Sequence, residues 1–121
     1  MAADRGGGAT AGARAEALAA EYLEARGLSI VARNVRSRFG ELDLIAREGD
    51  TLVFVEVRLR RSSAFGGASA SITPAKRNRL VATAETYLAT LSRVPPCRID
   101  ALLLDGLDAR RIEWLQDITS A

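Results

Sequence analysis

The sequence contains no histidine, one cysteine, one lysine and three prolines among its 121 residues. Without histidine, and with Cys97 alone, Cys/His zinc sites, Ser/His and Cys/His nucleophilic pairs and every imidazole general base are excluded. An internal disulfide is excluded as well, and Cys97 reads as a free thiol in the core or a turn. No stretch of about 18 apolar residues is present to cross a bilayer. Residues 1–10 hold Asp4, Arg5 and the Gly6, Gly7, Gly8 run, but no apolar segment of the kind a secretory signal needs. The expectation is therefore a cytoplasmic protein with no membrane partner. Any chemistry must come from carboxylates, Lys, Arg, Ser, Thr or Tyr.

A hydrophobic content of 48% and a charged content of 26% suit a single buried core that needs no metal or disulfide to fold. Residues 1–10 read as a disordered tip and residues 11–121 as one domain. The formal net charge of +2 conceals an uneven distribution: residues 57–84 contain six of the 17 basic side chains and none of the 15 acidic ones. Those six are Arg58, Arg60, Arg61, Lys76, Arg77 and Arg79. Such a concentration suits a polyanionic partner, although a solvated basic face would leave the same trace. Arginine supplies 16 of the 17 cations, and its planar fork suits bidentate phosphate contacts.

Periodicity gives the element order. Residues 11–26 are strong helix formers with Ala15, Leu18, Ala19, Tyr22 and Leu23 at helical spacing, and Gly27 stands where a C-terminal cap belongs. Residues 28–34, 41–46 and 52–59 alternate as strands, the last two joined by a turn at Glu48, Gly49 and Asp50. Residues 62–71, rich in Gly, Ser and Ala, form a loop. Thr73 and Pro74 then open a second helix whose apolar stripe is Leu80, Val81, Ala84, Tyr87, Leu88 and Leu91. Strands follow at 99–104 and 111–116, with a turn at 105–109 between them. The fold class is α/β, in the order α-β-β-β-α-β-β. The helix between the third and fourth strands allows a parallel crossover, so the sheet should be mixed and flanked by helices.

The hairpin of residues 41–59 carries the sharpest local inference. With Gly49 and Asp50 as the two turn residues, Leu42 faces Val57, Leu44 faces Val55 and Ala46 faces Val53, all apolar pairs. An odd-numbered loop would set Asp43 against Val55 or Val57 and mix the two faces. The favoured register puts Asp43 opposite Glu56 and Glu41 opposite Arg58. Like charges held at about 4.5–5.5 Å between β-carbons are destabilising. A divalent cation that prefers oxygen, Mg2+ or Mn2+, would relieve the first pair. Arginines offer another solution: Glu41 with Arg58 as a cross-strand ion pair, and Asp43 neutralised by Arg60, Arg33, Arg36 or Arg38.

Several segments together, Gly40 to Ala46 (GELDLIA), Phe54 to Arg60 (FVEVRLR), Phe65-Gly66, Lys76 at the head of the second helix, Arg33-Asn34 and Arg98-Ile99-Asp100, resemble the YraN family of small bacterial proteins. The resemblance covers residues 11–118. That family is similar in fold to the PD-(D/E)XK, restriction-endonuclease-like nucleases, which include archaeal Holliday junction resolvases. The resemblance implies that Asp43 and Glu56 are the metal-binding carboxylates, that Arg58 stands where a lysine is usual, and that Glu16 is the additional acidic residue near the metal.

Taken together, these readings lead to the expectation of a Mg2+- or Mn2+-dependent endonuclease acting on DNA, with Asp43, Glu56, Arg58, Glu41 and Glu16 as catalytic candidates. Arg58, Arg60, Arg61, Lys76, Arg77 and Arg79 would contact phosphates. Cutting a junction on two strands would require a homodimer. Arg58 keeps open the alternative of a non-catalytic nucleic-acid-binding protein on a nuclease scaffold, because arginine cannot give up a proton as a buried lysine can.

Overall fold

The computed structural model describes residues 10–60 and 72–119. The elements are α1 (Ala11–Ala25), β1 (Ser29–Ser37), β2 (Gly40–Glu48), β3 (Thr51–Arg60), α2 (Pro74–Leu88), β4 (Cys97–Asp105), a 3-10 turn (Ala109–Arg111) and β5 (Ile112–Leu115). They form one sheet in the order β1-β2-β3-β4-β5. Only β3 and β4 run parallel, joined through α2, so the expected mixed sheet and crossover are present. Arg61 and residues 62–71, expected as a phosphate contact and a loop, lie outside the described residues, as do residues 1–9 of the expected tip. Among the described residues no helix is long and apolar enough to cross a membrane.

Both helices begin and end on local signals. Thr10, the last residue of the expected tip, is the N-cap of α1, its hydroxyl accepting the Ala13 N–H at 3.0 Å. Thr73 caps α2 in the same way through the Lys76 N–H at 3.1 Å, with Pro74 in the first turn. The C-terminus of α1 closes when Gly27 N–H donates to Glu24 and Leu28 N–H to Leu23. This double bond pattern needs a left-handed residue, and Gly27 sits at φ +93°.

Each face of the sheet is covered by one helix. Val53 and Val55 of β3 pack with Ala15, Ala19, Ala20 and Leu23 of α1, while Leu52 and Phe54 pack with Leu80 and Ala84 of α2. Successive strand side chains point to opposite faces, so α1 and α2 sandwich the sheet. The β2–β3 hairpin has the expected even register, with Leu44 opposite Val55, Ala46 opposite Val53 and Glu48 opposite Thr51 around Gly49 and Asp50. Three expectations change. Strand β1 runs to Ser37 because a bulge between Ile30 and Ala32, and Asn34 at φ +53°, let it follow β2 further than plain alternation would. Leu42 does not join Leu44 on the α1 face but packs with Leu80 and Ala84 on the α2 face. Cys97 opens β4 and is exposed.

The Arg98-Ile99-Asp100 segment has a structural role. Asp100 is fully buried on β4. Its carboxylate accepts from Arg98 Nε at 3.1 Å, Trp114 Nε1 at 2.9 Å and the Asp117 N–H at 2.8 Å. Arg98 also lies 2.8 Å from Glu48. One carboxylate thus ties β4 to β5 and to the segment after it, where Asp117 is held at φ +57°. Removing one partner of such a buried network leaves the others unpaired, so Asp100→Ala should lose about 3–5 kcal/mol of stability in chemical denaturation followed by Trp114 fluorescence. A loss below about 1 kcal/mol would mean that the clamp is dispensable.

Candidate functional site

The site lies where β2 begins and β3 ends. The β2–β3 ladder extends from the turn to Leu44 and Val55. Beyond that pair Asp43 takes over, and its Oδ2 accepts the Val57 N–H at 2.8 Å. The switch of Leu42 to the α2 face accompanies this: alternation is interrupted at Asp43, whose carboxylate reaches towards β3. The expected Leu42–Val57 and Glu41–Arg58 pairs are therefore not part of the ladder. Asp43 and Glu56 nevertheless lie close enough to act on each other electrostatically.

Burial is the largest cause of a shift that raises Asp43 from 3.8 to about 8. The neighbouring Glu56 pushes the same way, as does the charge of Glu16 on α1, while the Val57 N–H opposes them. Glu16 thus stands close enough to act on Asp43, where the resemblance put an additional acid. Glu56 is 3% exposed, at the point where β3 changes from apolar to polar residues on its α2 face. Two cations meet it: Lys76 Nζ at 3.0 Å from the first turn of α2, and Arg58 Nη1 at 3.5 Å from its own strand.

Other candidates are placed elsewhere. Glu41 pairs across β1–β2 with Arg36 at 3.4 Å, on the surface. Arg60 lies 3.3 Å from Asp105 at the end of β4, which also holds Arg111. Arg77 is half-buried and Arg79 exposed on α2. Sequence reasoning gave Lys76 a phosphate role and missed its contact with Glu56; the one signal was that it is the only lysine. Arg36, weighed as a counter-charge to Asp43, pairs with Glu41 instead, and Asp105 carried no signal because its contact with Arg60 depends on the parallel crossover.

A family model described as Uncharacterised protein family UPF0102 matches residues 15–104. The chain belongs to the UPF0102 family. This is the YraN family that the sequence resembles. Similar UPF0102 proteins come from several bacteria. That of Methylobacillus flagellatus is 55% identical over 107 residues, covering 88% of this chain and 94% of that protein. That of Nitrosomonas europaea is 52% identical over 106 residues, covering 88% and 90%. That of Cupriavidus taiwanensis is 56% identical over 106 residues, covering 87% and 79%. The UPF0102 match spans Glu16, Asp43, Glu56, Arg58 and Lys76.

The raised pKa of Asp43 has a measurable consequence. In the unfolded chain the proton leaves near 3.8, and in the fold only near about 8, so the folded state holds an extra proton across that window. The stability this confers is complete below about pH 4 and is lost as pH rises through about 8. Between about pH 4 and pH 8 the melting temperature of the metal-free protein should fall relative to that of a variant lacking this group. Asp43→Asn, which cannot ionise, should flatten that slope and melt above wild type at the alkaline end. Parallel pH profiles for the two proteins would refute the shift.

Proposed function

We propose that this protein is a metal-dependent nuclease that hydrolyses DNA phosphodiesters, with a role in repair or recombination. The observation that carries this reading is the juxtaposition of Asp43, near the start of β2, with the buried Glu56 of β3, two carboxyl groups close enough that the charge of one raises the pKa of the other. Such a pair is costly unless a proton or a cation sits between its members. The donors fit Mg2+ or Mn2+, being hard oxygens with one Asp43 oxygen fixed by the Val57 N–H. Among the described residues no three acidic, histidine or cysteine side chains gather tightly enough to hold a metal by themselves. Two carboxylates completed by water and substrate phosphate is, however, the usual way Mg2+ is held. When bound, the ion supplies Lewis-acid polarisation of the phosphoryl oxygen and acidifies a water.

The chain's own residues do the positioning. The Val57 N–H orients Asp43, and Lys76 and Arg58 hold the Glu56 carboxylate in a defined rotamer. The same two cations lie where negative charge accumulates as the phosphodiester is attacked, and they stabilise it electrostatically. Lys76 thereby supports activity although Arg58 stands at the position where a lysine is usual. Arg77 and Arg79 follow on α2 and are available to backbone phosphates. Cutting both strands of a branched DNA would take two copies of the chain.

Arg58 also favours a second reading, a nucleic-acid-binding protein that has lost catalysis. The two separate in one experiment. With Mg2+ or Mn2+, the nuclease reading expects cleavage of branched and plasmid DNA, falling at least about 100-fold in Asp43→Asn and Glu56→Gln. Equal cleavage by those variants would mark a contaminant and overturn it. Salt-sensitive DNA binding without cleavage in either metal would establish the second reading instead.

A further inference from the structure

The β1–β2 hairpin turns through Arg38 and Phe39, between the paired Ser37 and Gly40. Phe39 is 38% exposed, one of three large hydrophobic side chains in that state among the described residues. A two-residue turn does not need a phenyl ring, and burial of the core gains nothing from one in solvent. Nevertheless the turn is braced. The Phe39 N–H donates to Ser37 Oγ at 3.0 Å, and Ser37 Oγ lies 3.0 Å from the hydroxyl of Thr83, which is buried on α2. Gly40 follows at φ +146°, a conformation that other residues resist. The ring is thus held in solvent by a turn anchored to a helix.

Its surroundings are cationic. Arg33, Arg36 and Arg38 are all exposed on β1 and the turn, and Arg36 pairs with Glu41. The Arg38 guanidinium sits over the Phe39 ring, 4.9 Å from its centre, and can cover only one of the two ring faces. Asp43 is four residues further along β2, roughly 13 Å at strand rise. That distance is about four steps of a stacked nucleic-acid strand at 3.4 Å each.

We infer that Phe39 is a base-stacking residue that selects nucleic acid with unpaired bases, the ring taking a nucleobase face while Arg36 and Arg38 take the neighbouring phosphates. This rests on the nucleic-acid part of the proposed function and narrows it. Bases inside an intact duplex present no free face, whereas single strands, gaps, flaps and junction centres do. Rigid placement matters because an aromatic platform that is already ordered loses little entropy when a base lands on it.

The test is fluorescence anisotropy in EDTA, so that neither metal nor cleavage enters, with four labelled probes: single-stranded DNA, the same sequence as RNA, a gapped duplex and an intact duplex. Phe39→Ala should weaken binding of the single strand and the gapped duplex by about 5- to 100-fold while leaving the intact duplex within about 2-fold. Phe39→Trp should restore the preference, and its indole fluorescence should be quenched on the single strand beyond the Trp114 background. Retained RNA binding that is equally sensitive to Phe39→Ala would also support stacking, and the tighter of the two strands would identify the source of the base. Since Phe39 is exposed, its alanine variant should melt as wild type does, which separates lost stacking from lost folding. Wild-type affinity in Phe39→Ala for every probe, or an equal loss on the intact duplex, would overturn the inference while leaving the nuclease reading intact. No binding of wild type to any probe would overturn both.

Discussion

The hydrogen bond from the Val57 N–H to Asp43 is the constraint on which the site depends. It falls where the β2–β3 ladder stops, so a side-chain carboxylate, and not the next main-chain pair, faces the end of β3. That bond draws Asp43 towards β3 and close to Glu56, while Leu42 packs under α2. A donor to the carboxylate favours its charged form, yet burial and the neighbouring Glu56 outweigh it, leaving Asp43 high at about 8. The fold therefore tolerates an acid that would be more comfortable neutral. Two well-filled clusters, one under each helix, supply the apolar burial that makes this tolerable.

Glu56 obeys the opposite logic from the same end of the sheet. It is buried, but Lys76 at 3.0 Å and Arg58 at 3.5 Å lie against its carboxylate. The Lys76 contact also accounts for a cation in the first turn of α2, where the helix dipole disfavours positive charge. Its N–H is held by the Thr73 cap while its ammonium reaches across to β3, so the cap fixes both the start of the helix and the approach to Glu56. Arginine on the strand and lysine on the helix together present a fixed positive field beside a pair of acids, an arrangement suited to charge that develops on a phosphate.

How much of this the sequence discloses depends on the range of each interaction. The hairpin register was legible because Gly49-Asp50 is a strong turn signal and because only one parity keeps valines opposite Leu44 and Ala46. The caps at Thr10 and Thr73 were equally local. The break at Asp43 was not legible: alternation continues through Leu42 in the letters, and only the position of Leu80 and Ala84 makes the α2 face a better home for it. Nor did the Arg38-Phe39 turn announce itself, since neither residue is a turn former and the signal lay one step later, in Gly40. Asp100 lay in a recognisable segment, but its role as a clamp required the spatial return of Trp114 and Asp117.

The charge distribution changes meaning most. Along the chain, the basic run of residues 57–84 looks like a patch awaiting a polyanion. In space, three of its members serve as internal counter-charges: Arg58 and Lys76 to Glu56, and Arg60 to Asp105. Among the described members, Arg77 and Arg79 take no part in these three ion pairs. On β1 and its turn Arg33, Arg36 and Arg38 are exposed, a segment that linear counting passes over because Glu41, Asp43 and Glu48 follow it closely. Two of those acids are spoken for by Arg36 and Arg98, and the third, half-buried, lies beside Glu56. Exposed cations thus stand on both the hairpin and α2, while Arg58 and Lys76, nearest the carboxylates, are engaged with Glu56.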